Sequence, residues 1–511
     1  MDQPELHNDP RLFARYRWLY LAAVVLIFAV GLGIRLYDLT DAPLDFHPTR
    51  QLYSAIKARG MYYEQLETAP QWQRDFAVQQ WQVQGLIEPP IMEQLAAFTY
   101  RLVGQELLWI PRLFAIFFWT IGGLFLLWTA KELLDENAAV FALLYFMVMP
   151  YTAAASRAFQ PDPLMVSLMI IALWSLVRWM HTQRMRFAVL AGLFGGFAIF
   201  IKLVVVFPIV AAFVVVTLGQ LGLRNVWRNH QVWMMGVLAI LPYALYHIYG
   251  MYIVHQLQSQ FSLRFFPQLW SDPGFWLRWN GMISQVVGFE FFLAALVGIA
   301  LLRTRLERAF LAALFGGYFV YGLALSYHIS SHDYYQLPLV PVVALGVAAV
   351  FAWVVRSVQE KQLGALLLSF VLLYMLAINA WDVRVALKRA HYKNEVAFWT
   401  SLSTTFEPGD RVIGITQDYG YRMIYWGWHY VENWKSSADF ALRELDGQEF
   451  DMEKEFYNAI EGQDFFLVTQ PDELAHQPKV KQLLTDNFPV LEETDNYLIY
   501  DLRQPVEKQA E

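Results

Sequence analysis

The sequence predicts an all-α polytopic membrane protein carrying a small C-terminal α/β domain, and three observations predict it. Of 511 residues, 57% are hydrophobic and only 16% are charged, against about 25% charged in a soluble domain. The apolar residues gather in blocks of roughly 20, the length that crosses a bilayer as a helix. After residue 380 the blocks stop and short mixed runs take over.

Taken in order, the candidate spans are Trp18–Leu36, Trp109–Trp128, Ala138–Ala155, Pro163–Met180, Phe187–Ile201 and Leu203–Gly219. They continue with Trp233–Tyr249, Ile283–Leu302, Ala309–Tyr327, Pro338–Val355 and Leu363–Ala380, giving about eleven helices of spanning length. Arg11, Arg15 and Arg17 precede the first run, which lacks the small-residue cleavage site of a signal peptide and is expected to be retained. The stretch Phe187–Gly219 is interrupted only by Lys202, with Arg184 and Arg186 before it and Arg224 and Arg228 after it. Basic residues favour the cytoplasmic side, so both ends belong inside and the chain is expected to turn back at Lys202. Arg303, Arg305, Arg308, Arg356 and Lys361 then also fall inside. Two large segments fall outside: the loop 37–108 and the tail 381–511. The expected domains are thus a cytoplasmic stretch 1–17, a membrane domain 18–380 that includes the outer loop, and an extracytoplasmic domain 381–511.

Within the tail, Arg411–Ile415, Phe465–Thr469 and Tyr497–Leu502 have the pattern of short strands, and Val480–Asn487 that of a helix. The tail has neither a phosphate-binding glycine loop nor a nucleophile elbow. The absence of cysteine removes disulfides, thiolate nucleophiles and cysteine metal sites. The net charge of −7 is not arranged as a basic patch, so no nucleic-acid partner is expected.

The outer loop is densest in chemistry. It opens with Asp45-Phe46-His47-Pro48-Thr49-Arg50-Gln51 ahead of a helical pattern. Leu52, Ile56, Tyr63 and Leu66 form one apolar face, with Arg50, Lys57 and Glu64 opposite. This predicts an amphipathic helix able to lie along a membrane surface. Arg59 breaks the stripe, either as a snorkelling side chain or as a cation aimed at a lipid phosphate. A second amphipathic segment starts at Pro89-Pro90 and runs through Met92, Leu95, Phe98 and Leu102.

Asp45 follows the first span closely, and read alone it suits a cap on the next helix. Other polar groups converge at the same expected depth. Arg157 and Asp162 fall between spans three and four, Lys202 at the turn, and His332 and Asp333 after span nine. Glu290 falls inside span eight, where a carboxylate is costly and faces a cavity or a buried cation. Lys202 and Arg157 have interfacial anchoring as their alternative reading. Together these residues describe a site on one face of the membrane.

The chain resembles the GT-C glycosyltransferases, in the branch that contains the protein O-mannosyltransferases and the lipid A aminoarabinose transferase. The resemblance rests on the order of several patterns. They are Arg35-Leu36-Tyr37-Asp38-Leu39, the aspartate soon after it, Ala58-Arg59-Gly60-Met61, and Glu88-Pro89-Pro90. Ser156-Arg157 with Asp162, the Gly192–Lys202 stretch, and His332-Asp333-Tyr334-Tyr335 ahead of Pro338 and Pro341 follow. The family often has an acidic pair at the first-loop site, whereas Asp45 is followed by Phe46.

The resemblance implies a polyprenyl-phosphate sugar donor, an acceptor glycan, lipid or protein, and inverting transfer outside the cytoplasm. Asp45 would be the general base, and Asp162 would orient the acceptor or support the base. Lys202 and Arg157, then Arg59 and His332, would meet the donor phosphate. His47, Arg50, Glu88, Glu290 and Asp333 complete the candidates. The resemblance fixes no cofactor, and a divalent metal is kept as an option with no ligand set assigned. The implied location is a bacterial-type plasma (inner) membrane, with the site and C-terminus extracytoplasmic. The rivals are a polysaccharide polymerase or ligase, whose large outer loop falls late among the spans, and a secondary transporter, which would place charges or broken helices at the midplane.

Overall fold

The computed structural model describes residues 17–85, 87–255, 264–358 and 362–505. Arg11, Arg15 and Lys361 lie outside the described residues. Two compact units form. The first comprises 1–39, 86–91 and 111–390, and the second 40–85, 92–110 and 391–511. Most of the outer loop belongs to the same unit as the tail.

In the first unit every predicted span is helical, with boundaries set by local chemistry. The helices are Arg17–Leu36, Trp109–Leu133, Asp162–Thr182, Met185–Ile201, Val206–Asn225, His230–Ile248, Arg305–Ala324, Leu339–Val358 and Gln362–Arg389. Among the described residues six helices are long and apolar enough to cross a membrane, or up to seven if a bent pair counts as one span. Two expected spans are not straight. Ala138–Ala155 divides into Glu136–Val148 and Pro150–Ala155, because Pro150 cannot donate into the preceding helix. Ile283–Leu302 divides into Pro273–Val287 and Phe289–Leu301, bent by 88° at Gly288. Gly288 adopts φ +76°, which a side chain there would strain. Glu290 therefore stands in the first turn of a new helix, not midway along a span. The break at Lys202 is present: the helix ends at Ile201, and Lys202 is extended (φ −155°, ψ 116°) before the next begins.

Polar helix ends sort into two sets. At one, Arg178 pairs with Glu132 at 2.5 Å, Arg356 with Asp135 at 2.8 Å, and His181 lies 3.4 Å from Glu307. At the other, Lys202 pairs with Asp162 at 2.9 Å. The helix Asp162–Thr182 reaches from one set to the other, and its 21 residues correspond to about 30 Å of rise, the depth of a hydrocarbon core. Trp233, Val237, Ile240, Leu241, Leu245 and Ile248 remain exposed along His230–Ile248. A contiguous apolar surface of this kind needs lipid around it. The chain is a multi-pass membrane protein.

The second unit contains the helices Pro48–Tyr63, Gln71–Val83 and Ile91–Val103 from the loop, and a five-stranded sheet from the tail. The strands are β1 Val412–Ile415, β2 Val431–Asn433, β3 Phe465–Val468, β4 Val490–Glu493 and β5 Leu498–Asp501. Their order is β2-β1-β3-β5-β4. β1 is parallel to β2 and β3, while β5 is antiparallel to β3 and β4. Alternate residues of β1 and β3 feed two cores: Ile413, Ile415, Phe466 and Val468 on one face, Val412, Phe465 and Leu467 on the other. Both faces are covered, so these strands read as apolar runs without alternation, which made them recognisable in sequence.

The helix Pro48–Tyr63 departs from expectation. It is buried from Gln51 to Tyr62 on all sides, Lys57 and Arg59 included, so it is not a two-faced surface helix. Glu64 and Leu66 lie beyond its end. The Ile91–Val103 helix matches its expectation better, with Phe98 and Leu102 left exposed.

Candidate active site

In the first unit, Asp162 occupies the first turn of its helix and is 1% exposed. Lys202, freed from helical geometry by the break, directs Nζ at both carboxylate oxygens, at 2.9 and 3.1 Å. The ammonium also lies 4.8 Å from the Tyr334 ring centre and 5.3 Å from that of Tyr335. A buried cation thus gains a counterion and two π faces at once, each of which offsets desolvation. His332 packs on His328 at 5.5 Å and on Tyr334 at 5.7 Å. Asp333 accepts a hydrogen bond from Gln285 Nε2 at 2.8 Å. The sequence-predicted Lys202, Asp162, His332 and Asp333 therefore share one neighbourhood.

Arg157 does not join that pair. It is 1% exposed, and its guanidinium donates to the carbonyls of Tyr37 at 2.6 Å and Asp38 at 2.9 Å. Arg112 holds the carbonyl of Leu39 at 3.0 Å, and Arg35 bonds Ser156 Oγ and the carbonyls of Gly31 and Met147. Three arginines thus secure the C-terminal end of the first span, where carbonyls lack helical partners and positive charge is favourable. Asp38, at φ 52°, is bent by this grip. The loop that begins there leaves from a fixed point. Glu88 lies half-buried in the first unit, and Glu290 is exposed on it.

In the second unit Asp45 is half-buried. Gln51 Nε2 donates to its Oδ1 at 3.4 Å and to the Phe46 carbonyl at 2.7 Å. Asp45 stands two residues before the N-cap of the helix that follows. The N-cap is His47, at φ 42° and with no side-chain cap bond, and its ring stands edge-on to Phe46 at 4.6 Å. Burial and then the Asp45 carboxylate raise the pKa of the Tyr392 phenol, so Asp45 faces the tail's first residues. Asp41 accepts from Tyr392 N at 2.9 Å. Arg50 lies 5.6 Å from the Tyr53 ring centre. Burial holds the neighbouring Tyr421 phenol up at about 12, with Arg50 opposing the rise.

Arg59 is committed elsewhere. Its Nε meets Glu106 at 3.0 Å, and its guanidinium covers the rings of Tyr425 at 3.6 Å and Trp428 at 4.3 Å. It ties loop to tail, and its charge is balanced by a carboxylate that sequence spacing did not pair with it. The sequence reading also missed Tyr392, Tyr421 and Asp418. Asp418 accepts from Thr49 Oγ1 at 2.8 Å and from Arg422 Nε at 2.6 Å. No local signal links such residues to a loop more than 300 positions away. Among the described residues, no group of three or more His, Asp or Glu is arranged to hold a metal.

Residues 87–249 match the family described as Dolichyl-phosphate-mannose-protein mannosyltransferase. No curated protein is matched in sequence. Among solved structures, the fold is similar to ArnT from Cupriavidus metallidurans in the apo state. That likeness has a TM-score of 0.60 at 16% identity and covers 95% of this chain and 98% of that one. ArnT from the same organism bound to undecaprenyl phosphate gives a TM-score of 0.58 at 15% identity, over 93% and 97% of the two chains. The Archaeoglobus fulgidus oligosaccharyltransferase in complex with Zn and sulfate gives 0.51 at 12% identity, over 94% and 73%. The family match spans about a third of the chain, most of it in the membrane unit, and the fold is shared with ArnT along nearly the whole length.

Proposed function

We propose that this enzyme transfers a sugar from a polyprenyl-phosphate carrier to an acceptor hydroxyl on the extracytoplasmic face of a plasma membrane of bacterial type, with inversion at the anomeric carbon. The Lys202–Asp162 pair under Tyr334 and Tyr335 carries this reading. It is a cation kept at a helix end, where the headgroup of a membrane-embedded lipid phosphate would lie. The ArnT structure bound to undecaprenyl phosphate supports the donor class. An apolar groove of about 470 Å³ in the membrane unit, lined by Trp276, Trp279, Ile283, Phe292, Leu296 and Phe315, suits an isoprenoid chain.

In the proposed reaction the acceptor oxygen attacks the anomeric carbon as the bond from that carbon to the phosphate oxygen breaks. Asp45 takes the acceptor proton, and polyprenyl phosphate leaves with the added negative charge. Charge grows on the phosphate in the transition state, so a preset cation binds that state more tightly than the ground state. Lys202 and His332 are assigned this role. Arg157 is assigned to holding the start of the loop that carries Asp45, and Arg59 to holding the loop and tail as one unit.

The test is to incubate the purified protein with polyprenyl-phosphate sugars differing in sugar, and to measure release of polyprenyl phosphate with and without added acceptors. Release with at least one donor is expected. Silence across hexose and pentose donors, with transport of a labelled solute in proteoliposomes, would favour the transporter.

A further inference from the structure

The sheet of the second unit has a topological break of its own. From β1 the chain goes to β2 on one side, while β3 lies on the other side, and all three run parallel. In open α/β sheets the crevice outside the carboxyl ends of such strands binds ligands, because the connections leave in opposite directions there. A cavity of about 270 Å³ lies at these ends, lined among others by Thr416 after β1, Asn433 at the end of β2 and Gln470 after β3. Thr49, in the first turn of the helix that follows Asp45, also lines it.

Three features mark the cavity as built for a ligand. The Thr416 hydroxyl is buried and has no hydrogen-bond partner among the described residues, with the residue 4% exposed. Leaving such a group unpaired costs stability, and a ligand hydroxyl would remove the cost. Asp418 and Tyr419 both adopt left-handed backbone, at φ 55° and 58°, a strain that persists when the surroundings enforce it. Arg422 and Thr49 grip Asp418, and the strained turn leaves the Tyr419 side chain 43% exposed at the cavity.

The donor set selects the ligand chemistry. No lysine or arginine lines the cavity, so a phosphate is disfavoured. Its two carboxylates are already engaged: Asp418 as above, and Glu473 by Ser437 N at 2.6 Å and Gln477 Nε2 at 2.8 Å. Neither is left to a cation. What remains is the exposed ring of Tyr419 and the buried one of Trp434 beside amides and hydroxyls, which can both donate and accept. We infer that this cavity is a binding subsite for a neutral, hydroxyl-rich ligand, a saccharide unit with a ring face on Tyr419 and hydroxyls on Thr416, Asn433 and Gln470. If the glycosyltransferase reading above holds, the subsite makes the acceptor a glycan and presents it beside the helix that Asp45 precedes.

Direct binding tests this apart from turnover. Full-length protein in detergent is examined by saturation-transfer NMR with maltose and methyl α-mannoside, each alone and with inorganic phosphate or calcium chloride added as competitor. Saturation transfer to at least one of the two sugars is expected, with neither phosphate nor calcium competing. Thr416→Val keeps the shape and removes the hydroxyl. It should raise the melting temperature or leave it unchanged, yet weaken sugar binding about fivefold to tenfold, the loss of one hydrogen bond. Tyr419→Ala should weaken it at least as much. Sugar binding that both variants retain at wild-type strength, sugar binding absent from the wild type, or competition by phosphate or calcium would each overturn the inference. Sugar binding without transfer from any donor would leave the subsite standing and remove the proposed reaction.

Discussion

The Lys202–Asp162 pair offers a prediction in which fold and chemistry separate. Lys202 Nζ is bonded to both carboxylate oxygens, with side-chain exposures of 7% and 1%. Lys202→Met removes the cation and leaves a carboxylate buried without its partner, an error that costs about 3–5 kcal/mol. Asp162→Asn leaves the ammonium buried, but the rings of Tyr334 and Tyr335 remain, at 4.8 and 5.3 Å. Those contacts recover roughly 0.5–2 kcal/mol, so this variant should be the less damaged of the two. The double variant has no charge to bury, and replacing a whole buried pair is often close to neutral, so its loss should fall far below the sum of the singles. Thermal unfolding in detergent should therefore rank wild type and double variant highest, then Asp162→Asn, then Lys202→Met. Activity should rank differently. If Lys202 stabilises the leaving phosphate, its loss costs about 2–4 kcal/mol in the transition state, or roughly 30- to 10³-fold in turnover. The double variant should melt like wild type and still transfer slowly. Recovery of both properties together would show the pair to be structural and would refute its assignment to the leaving group.

Asp45→Asn should keep the melting temperature and lose about 10²- to 10⁴-fold in transfer, the usual worth of a general base; rates within a few-fold of wild type would move the base elsewhere. Because the chain has no cysteine, single cysteines report topology cleanly: an impermeant maleimide should label Ala438→Cys in intact cells and Arg305→Cys only after permeabilisation. The opposite pattern would invert the proposed orientation. Arg59→Lys should lower the melting temperature by removing the stacked guanidinium from Tyr425 and Trp428, with donor KM unchanged; a raised KM at unchanged stability would return Arg59 to the phosphate. Hydrogen bonds from Arg443 and Lys435 hold the Glu455 carboxyl down at about 2, from an ordinary value of 4.5. Its stabilisation is full above pH 4.5 and fades as pH falls towards 2, so acid denaturation of Glu455→Gln should be shallower there; an unchanged profile would discount the pair.

The spans were legible because lipid leaves the backbone no partner but itself, so helical segments must be long and apolar. The two bent spans were legible only in part. Pro150 and Gly288 stand in the sequence, but isolated proline and glycine also occur in straight membrane helices. Lys202 and Asp162 could be grouped from topology alone, since each sits at a helix end assigned to the same side. Their bidentate contact could not, because it depends on the exact residue at which one helix stops and the extended backbone at Lys202 turns the side chain.

Arg157 and Arg59 show a different limit. A buried arginine is read from sequence as a charge in search of a partner, and an anionic ligand is the partner that function suggests. Arg157 instead found the carbonyls of Tyr37 and Asp38, which a helix terminus leaves unsatisfied. Arg59 found Glu106, 47 residues along the chain. Both partners were in view in the sequence, yet neither is signalled by any periodicity. The same reasoning explains the helix Pro48–Tyr63. Its apolar stripe, with charges opposite, is the pattern of a membrane-surface helix, but that pattern assumes solvent on the charged side. Here Lys57 is covered, its Nζ bonded to the Tyr53 hydroxyl at 3.2 Å, and Thr49 and Arg59 are held by Asp418 and Tyr425. A polar face predicts water only when the rest of the chain supplies nothing polar to meet it. The tail supplies Asp418, Tyr421, Arg422 and Tyr425, a row of polar groups spaced to do so, and this buries the helix that leads away from Asp45.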